Sequence, residues 1–244
     1  VQKYGGTSVA DLEKIQHVAK RVTHTYDQGN NVVVILSAMA GVTDKLIGMA
    51  NDITKNPDRR ELDVLLATGE QASLMGYQAD VVTDCEFGNA RIIEIGGERI
   101  KELLKKRAIV VVAGFQGHDT RGNITTLGRG GSDTSAVAIA AALRADVCEI
   151  YTDVDGIYTA DPNICSKARK LKEISYDEML NMASLGAKVL QIRSVGFAKK
   201  FNIPVHVRSS FSDEEGTMVI SEDAGMEQLV VSGVTSDKNQ ARIT

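Results

Sequence analysis

Three glycine-rich segments hold most of the side chains in this sequence that could act on a substrate. The first is Lys3-Tyr4-Gly5-Gly6-Thr7-Ser8, where two glycines let backbone N–H groups face an anion and Lys3 adds a full positive charge. Standing alone, it reads better as a tight turn beside a surface lysine. The second, Thr125-Thr126-Leu127-Gly128-Arg129-Gly130-Gly131-Ser132-Asp133-Thr134, runs into a helical pattern whose early turns carry only small side chains. Small residues admit a phosphate close to a helix terminus. Arg129 can clamp a carboxylate bidentately, and Asp133 can orient a donor without acting as a base. A glycine turn capped by Ser132 or Asp133 would explain neither Arg129 nor the flanking glycines. The third segment, Tyr151 to Pro162, follows a strand end with acidic turns. Asp-Gly and Asp-Pro are ordinary turn formers, so this segment becomes a nucleotide candidate only in the company of the other two. Neither GxxxxGK(S/T) nor GxGxxG occurs, so a nucleotide site here is neither a P-loop nor a dinucleotide-binding fold.

The elements that must position these segments are readable in part. Leu12, Ile15, Val18 and Val22 recur at helical spacing up to a stop at Gly29-Asn30. Val32 to Leu36 is an unbroken apolar run, as in a strand buried on both faces, and ends at Ser37-Ala38-Met39-Ala40-Gly41. The pattern repeats as a strand over Arg107 to Ala113, a polar glycine-rich loop, an alanine-rich helix over Thr134 to Leu143 and a strand over Val147 to Tyr151. Such alternation predicts an α/β sandwich with a largely parallel sheet, whose ligands bind beyond the carboxyl ends of the strands. Glu173 to Phe201 reads as two helices broken near Ser184-Leu185-Gly186, Pro204 to Arg208 as a strand, and Thr217 to Ile220 as a strand closing the main sheet. The domain boundary falls at Ser212 to Gly216 or at Ser221 to Met226, and the later break is favoured because Thr217 to Ile220 can still join that sheet.

Length and composition set outer limits. With 244 residues, 43% hydrophobic and 25% charged, the chain suits one large globular domain or two small ones and is not a disordered sequence. Lys plus Arg number 28 against 32 Asp plus Glu, so a net charge of −4 offers nucleic acid no global attraction. The apolar stretches are strand-sized and none nears the roughly 20 residues that cross a bilayer, which excludes a membrane-spanning role. Cys85, Cys148 and Cys165 lie far apart, arguing against a disulfide framework and for buried thiols in a reducing cytoplasm. His17, His24, His118 and His206 show no metal spacing, and Lys101-Glu102 with Lys105-Lys106-Arg107 reads as a solvated helix face followed by a turn. No signal peptide is visible, and an opening on Val1 rather than methionine points to a start that has been lost.

Taken in order, Lys3 to Ser8, Ser37-Ala38-Met39-Ala40-Gly41-Val42-Thr43, Ala67-Thr68-Gly69-Glu70, Thr125 to Asp133, Thr152 to Pro162 and Leu185-Gly186-Ala187-Lys188 resemble the motifs of the aspartate kinases, within the amino acid kinase family. The resemblance covers nearly the whole chain. It implies a three-layer α/β sandwich over residues 1–222, then a linker and the first strands of an ACT regulatory domain over 223–244. The implied activity is ATP-dependent phosphorylation of the β-carboxylate of L-aspartate, opening lysine, threonine and methionine synthesis, with Mg²⁺ carried on the nucleotide and no protein metal site. Lys3 and Asp133 are the implied catalytic pair. Ser37, Thr43, Glu70, Arg129 and Ser132 would hold the amino acid, with Glu70 on its ammonium and Arg129 on a carboxylate. Lys3, Gly5, Gly6, Thr7, Ser8, Thr152, Asp153, Tyr158, Asp161 and Lys188 would bind ATP. Assembly through ACT domains would make a homo-oligomer or a pairing with a regulatory subunit. Alternatives are another kinase of the family, acting on glutamate, acetylglutamate or a nucleoside monophosphate, or a silent amino-acid sensor on the same fold.

The sequence departs from that family in three places. Tyr4 stands where Phe is usual, and Gln191-Ile192 where His-Pro is usual. A full helix that the family carries between Gln71 and Ala72 is missing, and the favoured explanation is a mobile lid segment not represented in these 244 residues, because losing a core helix would strand apolar surface.

Overall fold

The apolar run after Asn31 forms strand β2 (Val33–Leu36), with Val33 and Ile35 packed into one core cluster and Val34 into another, as a strand buried on both faces requires. A computed structural model describes residues 1–69, 73–187 and 189–222 of the chain. In it, β2 lies in a seven-stranded sheet with β1 (Gln2–Tyr4), β5 (Val110–Ala113), β8 (Cys148–Thr152), β9 (Glu173–Ser175), β10 (Val205–Ser209) and β11 (Thr217–Ile220). Their order is β5-β2-β1-β8-β10-β11-β9. The first five are mutually parallel, β11 runs antiparallel to β10, and β9 pairs parallel with β11.

Helices cover both faces. Helix α1 (Leu12–Asp27), capped by the Asp11 carboxylate on the Lys14 N–H, packs Val18 and Val22 on Tyr4, Val34 and Tyr151. On the other face lie α4 (Glu98–Lys105), α5 (Gly131–Leu143), α6 (Tyr176–Ser184) and α7 (Ile192–Phe201). Helix α5 is apolar or small nearly all round and is the most deeply buried helix, with Ala136, Val137, Ile139 and Ala140 against the sheet cluster. Helices α2 (Val42–Ile53) and α3 (Arg59–Ala67) follow β2. A second sheet, β4-β3-β6-β7, is built from β3 (Val81–Thr83), β4 (Ile92–Ile95), β6 (Gln116–Asp119) and β7 (Ile124–Thr126).

Four expectations need correction. The stretch after Ala113 is not one loop: it contains the β6–β7 hairpin, whose strands of three or four residues are too polar and too short to show an apolar period. The strand expected over Arg107 to Ala113 begins only at Val110, after a left-handed Arg107 ends the α4 turn. Glu173–Ser175 is strand, not helix, and Ser175 then caps α6 in a capping box with Glu178. Of the cysteines only Cys148 is buried, its thiol pushed up to about 12 by burial, while Cys85 and Cys165 sit in exposed turns. Among the described residues no helix is long and apolar enough to cross a membrane.

Candidate active site

Parallel pairing brings the carboxyl ends of β5, β2, β1, β8 and β10 to one edge of the sheet, and the loops after β1, β2 and β8 carry three of the sequence motifs. Lys3 is the middle residue of β1, so it points away from its neighbours Gln2 and Tyr4 and from the α1 layer. Its Nζ stands 2.6 Å from Oδ1 of Asp133, in the first turn of α5, with the two side chains 11% and 13% exposed. The contact is an ion pair rather than a directed hydrogen bond, since that oxygen has no aligned donor. Taking both charges so far out of water is costly for stability, which is characteristic of groups kept for chemistry.

Glycines make room around this pair. A Cβ on Gly5 would lie 3.4 Å from Lys3 Nζ, so the ammonium sits over bare backbone. At Gly6 a Cβ would meet the Ala38 carbonyl at 2.7 Å; glycine there lets the first loop nest against the Ser37–Gly41 loop, whose Ser37 and Ala40 N–H groups donate to Tyr4 O and Gly6 O at 3.2 Å each. Gly41, in the left-handed region, caps α2 and puts Thr43 in its first turn. Ser8 turns inward, its Oγ 2.5 Å from Ser210 Oγ, while Thr7 is exposed.

The Arg129 segment is braced from three directions. Gly128 and Gly130 both have positive φ. A Cβ on Gly130 would be 2.6 Å from Gln191 Cγ, and Gln191 Nε2 donates to the Arg129 carbonyl at 2.9 Å, so the residue standing in place of the usual His supports this loop. Arg193 donates through Nη1 to Leu127 O at 2.7 Å and through Nη2 to Ala90 O at 2.8 Å. Asp63 of α3 accepts from Thr126 N and Thr126 Oγ1, both at 2.8 Å, and burial raises its pKa above the usual carboxylate range. Arg129 itself is exposed, with no carboxylate partner among the described residues. Ser132, beside Asp133, is buried where a Cβ on Gly114 would touch it at 3.0 Å.

After β8, Thr152 Oγ1 donates to Asp153 Oδ1 at 3.1 Å. Tyr158 OH donates to Asp155, and burial followed by this bond raises the phenol pKa. Lys170 Nζ reaches Asp155 at 3.2 Å and Glu214 at 3.1 Å. The Asp161 carboxylate accepts from Asn163 N at 2.9 Å, holding its own turn. Lys3, Gly5, Gly6, the Ser37 loop and Asp133 thus converge, whereas Tyr158 belongs to a second cluster with Asp155 and Lys170, and Asp161 bonds within its own turn. Glu70, Lys188 and residues 223–244 lie outside the described residues. Sequence reading missed Asp63, Arg193 and Lys170. Only Asp63 left a signal: it shares a helix face with Leu66 and Ala67, an acid on an apolar stripe.

The profile of the amino acid kinase family matches residues 1–209. The chain belongs to that family. It is 52% identical over 262 positions to an aspartokinase of Geobacillus stearothermophilus and 49% identical over 262 positions to an aspartate kinase of Pseudomonas putida, each alignment covering 100% of this chain and 64% of the relative. Among solved structures it is similar to the aspartate kinase from Synechocystis, at 46% identity and a TM-score of 0.78 over 91% of this chain and 40% of that one. It is also similar to E. coli aspartokinase III in complex with aspartate and ADP, at 28% identity and a TM-score of 0.79 over 91% and 64%. The chain therefore spans less than two thirds of the length of these relatives. Since 262 aligned positions exceed its 244 residues, each curated relative has residues without a counterpart here. The break expected beside Gln71 falls at 70–72, outside the described residues.

Proposed function

We propose that this amino acid kinase transfers the γ-phosphoryl group of ATP to the β-carboxylate of L-aspartate, giving 4-phospho-L-aspartate. The observation that carries the reading is the Lys3–Asp133 pair, set over the bare Gly5 backbone at the carboxyl edge of the sheet with the Arg129 loop leading into the same helix. Support for the substrate comes from the aspartokinase relatives at 49–52% identity.

The acceptor carboxylate has no proton to lose, so the chain needs no general base. Its task is positioning and neutralising oxygen charge. Lys3 meets the transferring phosphoryl oxygens, and Asp133 holds the ammonium in place beforehand. Backbone N–H groups of Gly5, Gly6 and, past Gly131 whose N–H donates to Gly128 O, the first turn of α5 would face the same anion. Ser37 donates alongside them. Arg129 pairs a carboxylate of aspartate, Glu70 its ammonium, with Thr43 and Ser132 completing the amino-acid side. Thr7, Ser8, Thr152, Asp153, Tyr158, Asp161 and Lys188 belong to the nucleotide side, where Ser8 and Asp161 act by shaping their turns. Mg²⁺, carried on ATP, would supply charge neutralisation at the phosphates.

We further propose that residues 1–222 form the kinase domain and that 223–244 enter an ACT domain through which copies or a regulatory subunit pair. A reducing cytoplasm suits three free thiols. Incubation with MgATP, L-aspartate and hydroxylamine should give the hydroxamate; product from glutamate and none from aspartate would overturn the assignment.

A further inference from the structure

We propose that Asp63 is a positioning residue for the aspartate site, fixing the Arg129 loop against α3, the helix whose chain runs on to Glu70. The inference rests on the function proposed above. Asp63 is fully buried. Its Oδ2 accepts from Thr126 N at 2.8 Å and from Gly88 N at 3.0 Å, and its Oδ1 accepts from Thr126 Oγ1 at 2.8 Å. All three partners can donate and no cation pairs with it among the described residues, so the chain buries an uncompensated carboxylate where an apolar side chain would pack α3 on β7 at less cost. What the carboxylate adds is register. It joins three parts of the chain, α3, the Gly88 turn and the end of β7, and Arg193 grips the last two from the other side through Ala90 O and Leu127 O. Arg129 follows Thr126 by three residues and has no side-chain partner among the described residues, so its place is inherited from this brace.

The chemistry of the three donors separates the brace from mere packing. In Asp63→Asn the amide oxygen can take both N–H groups, and the new NH₂ can donate to a Thr126 hydroxyl that has reversed its role. Asp63→Ala loses all three bonds, and Thr126→Val loses only one. With the full 244-residue chain, Asp63→Ala should raise the aspartate KM about tenfold or more while kcat and the ATP KM stay within about threefold. Asp63→Asn should restore the aspartate KM, and Thr126→Val should raise it about threefold. If Asp63→Ala shifts both KM values alike, or lowers kcat alone, the inference is overturned. Should Asp63→Ala fail to fold, Thr126→Val decides, and an unchanged aspartate KM overturns it. A wild-type chain that makes no aspartyl hydroxamate removes the function and this inference together, whereas an active wild type with insensitive variants removes only the inference.

Discussion

At the scale of single residues, two cations divide the work. In the proposed function Lys3, nearly buried against Asp133, meets the phosphoryl group, and Arg129, exposed and without a carboxylate partner among the described residues, takes a carboxylate. Lys3→Ala is therefore expected to lower kcat by about 10³-fold with little change in the aspartate KM, and Arg129→Ala mainly to raise that KM, as steady-state kinetics would resolve. A result in which both raise only the KM would reverse these roles. Two buried carboxylates should respond to pH in opposite senses. Asp119 accepts from Asn123 Nδ2 and from the N–H groups of Asn123 and Arg121, with the side-chain bond to Asn123 the largest cause of a pKa held below the usual value. Its contribution is present above the unfolded carboxylate pKa, about 3.9, and is lost as pH falls through the lower folded value. Asp63, with a raised pKa, binds its proton more tightly when folded, so its contribution weakens as pH rises from the unfolded value through its higher folded one. Urea midpoints at pH 3 and pH 7 should show Asp119→Asn losing more stability at pH 7 than at pH 3.

At the scale of elements, the loop between β7 and α5 joins the β7 hairpin to the sheet edge through α7. Gly130→Ala would put a methyl 2.6 Å from Gln191 Cγ at a positive φ, and should cost about 1–3 kcal/mol and raise the aspartate KM. Adding Gln191→Ala should recover part of the stability, a coupling that a double-mutant cycle of thermal midpoints measures. Deeper in α5, Ile139→Ala should cost about 2–5 kcal/mol, because the side chain is fully buried in a helix with no solvent face to relax into. Sequence reading recovered the elements whose burial is continuous. α1, β2, α5, β8 and α7 show their period or apolar run directly. It missed β6, β7 and β9, whose three or four residues owe their strand form to neighbours distant in sequence, as in the Thr83–Thr125 hydroxyl contact at 2.6 Å. The site divides in the same way. Glycine loops announce themselves locally, whereas Asp63, Arg193 and Lys170 act on backbone or side chains 15 or more positions away, a relation no local pattern encodes.

For the molecule as a whole, β11 ends at Ile220 and closes the sheet against β10 and β9, which sets the expected edge of the kinase domain. If the ACT reading of 223–244 holds, that short segment lacks a complete effector site, and lysine or threonine added to the kinase assay should leave the rate unchanged. Inhibition noncompetitive with aspartate would instead put an effector site within the 244 residues. The strand order carries one more implication, for the moment at which the enzyme comes into being. β1 precedes the other described strands in sequence yet lies inside the sheet, between β2 and a β8 that begins 146 residues later. Its lysine cannot meet Asp133 until most of the chain has left the ribosome. Contacts of such sequence separation slow folding, and on the proposed function they also delay competence: a nascent chain could not spend ATP before β1 is flanked on both sides.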